Sequence, residues 1–190
     1  MIRPSHQVTH TGGLSRRQVL RMGSLFITTS LSPSLGWSHH LKRSLKLHNA
    51  LTGENLKVEY WADGEFVPDA LKELNRFLRD PHNGKVTEID PKLFHFIYEI
   101  ARKLEAEDTI NIMSGYRSPA TNDRLRRRNA AAAKGSFHVK GKAVDIRIPG
   151  YNTKSVRRVA LDLKQGGVGY YPRSRYIHID TGPVRSWRHA

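Results

Sequence analysis

The chain has 190 residues and a formal net charge of +15, enough length for one well-packed domain and little for two. Hydrophobic residues make up 38% and charged residues 26%, a balance that suits a folded globular protein and argues against a disordered chain. No run approaches the roughly 18 uninterrupted apolar residues of a membrane span. There is no cysteine, which excludes disulfides, thiolate metal sites, cysteine nucleophiles and lipid anchors on cysteine. A metal would have to be held by imidazole and carboxylate, and the chain has ten histidines.

In chain order, the first element is an address. Ser15-Arg16-Arg17-Gln18-Val19-Leu20-Arg21 resembles a twin-arginine export signal, and Met22 to Trp37 follows as a short, moderately apolar stretch broken by Ser30, Ser32, Pro33 and Gly36. It is too short and too polar to stay in a bilayer. We therefore read residues 1–38 as an export signal that engages the twin-arginine machinery and leaves no stable membrane anchor. Residues 39–190 are read as a single domain acting in the periplasm or cell envelope.

The domain opens with the alternating strand pattern of Leu56 to Trp61. Leu71, Leu74 and Leu78 then recur at helical spacing after Pro68, which suits a first turn. A longer helix is expected within Ile89 to Glu107, with Asp90 as cap, Pro91 in the first turn and Leu93, Ile97, Ile100 and Leu104 on one face. His95 lies in this helix and reads as a packing or surface histidine. Thr109 to Ser114 reads as a short buried strand and Gly115 as a turn. Ser118 then caps a helix opened by Pro119 and running to about Arg128. The stretch Asn129 to Gly135 fits either a helical end or a loop. Beyond it the pattern gives a strand at Ala143 to Ile148 and a helix at Thr153 to Lys164. Two further strands, within Gly166 to Tyr171 and Arg175 to Asp180, are joined by a turn at Pro172. The sum is an α+β domain, with helices flanking a small, mostly antiparallel sheet.

The surplus of positive charge favours anionic partners. Its densest cluster, Arg124, Arg126, Arg127 and Arg128, reads equally well as a solvated helix face, and no nucleic-acid-binding signature accompanies it. Chemistry concentrates elsewhere. His138 ends a glycine-flanked loop, Asp145 lies inside the next strand and His178 inside the last. Alternate residues of a strand share a face, so Asp145 and Arg147 oppose Val144 and Ile146. Likewise Tyr176, His178 and Asp180 oppose Ile177 and Ile179. Both strands thus pair an apolar face with a polar face carrying one potential metal ligand. Two histidines and an aspartate would suit a catalytic zinc that keeps one position for water. On spacing alone, such a site and an ordinary polar sheet face both remain open.

Ser136-x-His138-x-x-Gly141-x-Ala143-x-Asp145 followed by His178 resembles the zinc signature of the peptidoglycan peptidases related to the D-Ala-D-Ala carboxypeptidases and dipeptidases. The segments "MSGYRSPATN" and "GGVGYYPRSRYIHIDTGPVRSW" are similar to those of its murein endopeptidase K-like members. The resemblance implies a hedgehog/DD-peptidase-like zinc fold, one Zn2+ held by His138, Asp145 and His178, and cleavage of meso-diaminopimelate-containing peptide crosslinks in the wall. It gives Arg117 a substrate carboxylate or the developing oxyanion, and Ser136 a contact near the scissile bond. Relatives often carry Glu or His three residues before the last ligand, where this chain has Arg175. That leaves Asp180 as the expected general base, or else a carboxylate orienting a histidine ligand, with His189 a more distant option. Peptidoglycan stem peptides, rich in carboxylates, would then account for the charge without nucleic acid. The alternatives are a D,D-carboxypeptidase and a zinc-containing wall-binding domain without activity.

Overall fold

The computed structural model describes residues 42–128, 133 and 135–189; the export-signal reading and most of the 129–135 stretch lie outside the described residues. Strands β1 (Arg43–Asn49), β2 (Asn55–Ala62) and β3 (Glu65–Phe66) come first, then helices α1 (Pro68–Phe77) and α2 (Lys92–Lys103). Strand β4 (Ile110–Ser114), helix α3 (Pro119–Arg128), strand β5 (Ala143–Arg147) and helix α4 (Thr153–Leu163) follow. Strands β6 (Gly167–Tyr171), β7 (Tyr176–Asp180) and β8 (Arg185–Arg188) complete the domain. The α+β class is as expected, but the sheet is larger and more mixed than the sequence pattern suggested. Among the described residues it has eight strands in the order β3-β2-β1-β4-β5-β7-β6-β8, with parallel pairing at β1/β4 and β6/β8. No helix among the described residues is long and apolar enough to cross a membrane.

The sequence dictates these elements by familiar means. Pro68 occupies the first turn of α1, and the Asn152 side chain accepts the Ser155 N–H to cap α4. Asp90 accepts the Lys92 N–H at 3.1 Å as α2 begins. Ser118 Oγ accepts the Thr121 N–H at 3.3 Å at the start of α3. One sheet face is apolar: Ile112, Val144, Ile146, Ile177 and Ile179 are fully buried, together with Phe94, Ile97 and Ile100 of α2 and Ala160 of α4. Because side chains alternate, the residues between them, Asp145 and His178, are forced onto the opposite face. The antiparallel register puts these two directly opposite each other across β5 and β7.

Helix α3 is the exception to this packing logic. It buries only Thr121 and Asn122 and leaves Arg124, Arg126, Arg127 and Arg128 exposed. Buried polar bonds hold its start in place of apolar area. Asp80 is fully buried and accepts the Ser118 N–H and the His82 N–H, both at 2.9 Å. Tyr116 N–H donates to the Leu78 carbonyl at 2.8 Å. Burial pushes the Asp80 carboxyl up, but hydrogen bonds from Thr121, Ser118 and His82 outweigh it and hold the pKa below the ordinary value.

Since that pKa is lower folded than unfolded, the stability Asp80 contributes is fully present above about pH 4 and is lost as pH falls through the folded value. Asp80→Ala leaves buried N–H groups without an acceptor and should cost about 1–3 kcal/mol. Urea melts at pH 7 and pH 3 will show a smaller acid-induced loss in Asp80→Asn than in the unaltered chain.

Candidate metal centre

Two loops and two strands bring the site together. A bulge in β4 between Ile112 and Ser114 sets Ser114 opposite Asp145, and irregularities of this kind re-aim side chains near sites. The chain then turns through Gly115, Tyr116 and Arg117. The His138 loop depends on Gly141, whose φ of +65° is left-handed and whose added Cβ would collide with the Glu88 carbonyl oxygen. On the sheet, Gly167 and Gly169 stand beside Asp180 and His178 in the register of β6 and β7. Side chains there would collide with Arg185 and with the Trp187 ring. The "GGVG" spacing therefore makes room for what lies over the site.

His138, Asp145 and His178 are all buried, and one ligand atom from each lies within 4.8 Å of the others. The individual separations are 3.1 Å from His138 Nε2 to His178 Nδ1, 3.2 Å from His138 Nε2 to Asp145 Oδ1 and 2.9 Å from His178 Nδ1 to Asp145 Oδ1. Each imidazole is held from behind. His138 donates Nδ1–H to the Gly115 carbonyl at 2.7 Å, and His178 donates Nε2–H to Asp180 Oδ2 at 3.0 Å. With their protons committed outward, both rings turn a lone pair inward, toward a carboxylate oxygen. Three acceptors facing one point demand a positive charge there. A proton on His178 supplies one, and a divalent cation another.

The electrostatics agree with that demand. Burial pulls the His138 pKa down, and Arg117 adds to the shift. Burial acts the same way on His178, but its hydrogen bonds to the carboxylates of Asp145 and Asp180 overcome it and raise the pKa. Asp145 is held well below the usual carboxylate range, because the charges and hydrogen bonds of His138 and His178 outweigh its burial. The donor set fits zinc, which is bound at catalytic sites by three nitrogen or oxygen ligands with a fourth position open. Both back-side hydrogen bonds are of the kind that fixes the tautomer of a metal-binding histidine.

The other expected site residues fall differently. Arg117 donates Nη2–H to Asp145 Oδ2 at 2.8 Å and Nε–H to Ser114 Oγ at 2.9 Å, so much of its fork holds the ligand carboxylate. It also lines the cleft of about 650 Å³ that opens over the cluster. Ser136 lines the same cleft, while its Oγ accepts the His138 N–H at 3.3 Å and steadies the loop. Asp180, expected as the proton acceptor, shares the face of His178 but does not line the cleft. It is fully buried, and its oxygens take hydrogen bonds from His178, Arg185, Gly167 and Gly182. That placement matches the alternative of an orienting carboxylate. Arg175 is exposed in the turn before β7, at φ 56°. His189 stacks on Tyr171 and lines the cleft. His95 is a packing histidine: its ring lies among Trp61, Phe66 and Tyr60, and its Nδ1 accepts the Tyr60 O–H at 3.0 Å.

Sequence reasoning missed Ser114 and Gly115 as supports of Arg117 and His138, and it gave no role to Arg185 and Trp187, although both lie in the quoted 166–187 segment. The signal was present in part, since "SGYRS" stood out as a unit. Arg185 and Trp187 sit on a strand with no alternation to mark it.

Residues 38–187 match the family of the peptidoglycan L,D-endopeptidase MepK. The peptidoglycan L,D-endopeptidase MepK of Escherichia coli is 39% identical over 176 residues, 91% of this chain and 97% of that protein. The protein of the same description from Shigella flexneri is equally similar over the same span. A relative from Haemophilus influenzae is 39% identical over 178 residues, 92% of this chain and 96% of that one.

A site built of three converging acceptors should bind a divalent cation and be stabilised by it. With Zn2+ at 100 times its Kd, the native chain should gain about 2.7 kcal/mol, and Asp145→Asn should gain none. Thermal melts with zinc and with chelator check this.

Proposed function

Because the chain belongs to the family of peptidoglycan L,D-endopeptidases, we propose that it is a zinc-dependent murein endopeptidase that hydrolyses peptide crosslinks of the bacterial cell wall. The observation that carries this reading is the convergence of His138 Nε2, Asp145 Oδ1 and His178 Nδ1 on the floor of a cleft large enough for a peptide. The substrate bond joins an L centre to a D centre, and meso-diaminopimelate, which carries one of each, supplies both in wall crosslinks. The fold is then that of the zinc D,D-peptidases and hedgehog-like domains. We assign residues 1–38 to twin-arginine export and the 39–190 domain to the cell envelope.

In this reading His138, Asp145 and His178 hold one Zn2+. When bound, such an ion makes water acidic enough to attack a peptide carbonyl near neutral pH and polarises that carbonyl. The rest of the work falls to the chain. Gly115 and Asp180 keep the two imidazoles in the tautomers that present Nε2 and Nδ1 inward. Arg117 fixes Asp145 through its outer oxygen, which leaves Oδ1 for the metal. Its positive charge at the cleft wall also favours the negative charge that develops on the carbonyl oxygen during attack. Ser136, at the mouth of the His138 loop, contacts the backbone near the scissile bond. The exposed arginines of α3 lie beside Thr121 and Leu125, which line the cleft. They draw in stem peptides with free carboxylates, an attraction that salt will weaken.

Purified chain lacking residues 1–38, incubated with soluble crosslinked muropeptides, should convert crosslinked dimers to monomers. Mass spectrometry of the products names the bond. Chelator should abolish the conversion and zinc restore it, and His138→Ala should lower the rate by at least about 1,000-fold, of the order expected for losing a metal that carries several kcal/mol of transition-state stabilisation. Intact dimers with a folded, zinc-loaded sample would overturn the assignment. A mass loss of one terminal residue without dimer cleavage would turn it into a D,D-carboxypeptidase.

A further inference from the structure

Arg185 lies in the "GGVGYYPRSRYIHIDTGPVRSW" segment without an assigned role, yet it contacts Asp180, which holds His178, and Phe137, which precedes His138. It sits on the edge strand β8, in register with Gly167 of β6. Its guanidinium forks onto Asp180, with Nη1 to Oδ1 at 2.9 Å and Nη2 to Oδ2 at 2.7 Å, and Asp180 in turn holds His178. The same guanidinium lies over the Phe137 ring and over the Trp187 ring, each at 5.0 Å from the centroid. Phe137 is the neighbour of His138 in its loop. Trp187 packs on the His178 ring, with centroids 5.2 Å apart. The backbone is shaped around this stack. A Cβ at Gly167 would collide with the Arg185 guanidinium, and one at Gly182 with the Phe137 ring.

We propose that Arg185 is a positioning residue for the metal centre, a clamp from the last strand that sets the orientation of His178 through Asp180 and of His138 through Phe137. The inference rests on the zinc reading above. A planar fork that bonds both oxygens of a carboxylate while also packing on aromatic rings is available to arginine and not to lysine. Without it, Asp180 keeps the Gly167 and Gly182 N–H donors on Oδ1, and Oδ2 is left with the His178 Nε2–H alone. His178 would then lose the fixed partner that presents Nδ1 inward. Groups that orient metal-binding histidines typically change metal affinity by about 10- to 100-fold when removed.

The test is zinc affinity, measured against a chromophoric chelator at one pH, for the native chain, Arg185→Ala, Arg185→Lys and the exposed-turn control Arg173→Ala. Melting of each in excess chelator separates a local from a global effect. Expected is a roughly 10- to 100-fold weaker zinc Kd in Arg185→Ala, a smaller but clear loss in Arg185→Lys, and no change in Arg173→Ala. On crosslinked muropeptides at saturating zinc, kcat should fall with KM little changed. If Arg185→Ala does not fold, Arg185→Lys carries the comparison. Zinc binding within twofold of native in the folded Arg185 variants would overturn the clamp. So would a rise in KM with kcat and zinc affinity intact, which would make Arg185 a substrate contact. If the native chain binds no zinc, the functional reading fails first and the clamp falls with it.

Discussion

A carboxylate and two imidazoles taken out of water and aimed at one another repel through their lone pairs, and a fold that buries them must hold them against that repulsion. Here Asp145 and His178 are fixed by strand register, opposite each other on β5 and β7, so neither can retreat without breaking the sheet. The apolar face of the same strands supplies the resistance. Val144, Ile146, Ile177 and Ile179 are entirely buried against α2 and α4, and a one-residue slip would send all of them to the wrong side. The site therefore borrows its rigidity from the core rather than from its own contacts.

Positions in the sheet fix the Cα atoms but not the rings, and the ring orientations come from parts of the chain far apart in sequence. The 114–118 turn supplies the Gly115 carbonyl behind His138 and the Arg117 fork on Asp145. The end of the chain supplies Arg185 behind Asp180. Each inward-facing acceptor thus has an outward-facing partner, and two of the three chains of contact end in a guanidinium. The pairing is economical with charge: the buried cluster contains two carboxylates, and two arginines stand at its edge. What remains of the positive surplus lies on surfaces such as α3, where it acts on partners at a distance rather than on the ligands.

Much of this was legible in the sequence. Alternation in "AVDIRI" and "YIHID" put Asp145 and His178 on polar faces, and the glycine spacing around His138 marked a loop. Asp180 shows where alternation stops being informative. It correctly places Asp180 on the face of His178, but two residues along a strand is about 6.6 Å, far enough to lie under a neighbouring strand instead of in the cleft. Whether it does depends on β8, and "RSWR" has no apolar period to betray a strand because it is an edge whose pairing with β6 is settled by the whole topology. Strand β1 was a different kind of loss. Leu45 and Leu47 do alternate, but a seven-residue stretch beside a basic, polar run carries too little signal to stand out.

The departure at position 175 takes on a different weight once the turn is in view. Residue 175 has left-handed backbone and an exposed side chain, and its carbonyl is held by Arg147 Nε–H at 2.9 Å. It does not line the cleft, so an arginine there removes nothing from the wall around the ligands. The carboxylates that do line the cleft among the described residues are Asp80 and Asp145. The first is tied to the α3 start and the second to the metal cluster. The cleft is instead walled by aromatic rings and imidazoles, with Tyr171, Tyr176 and His189 stacked in series beside Trp187. A basic chain that keeps free carboxylates out of its cleft avoids repelling an acidic peptide.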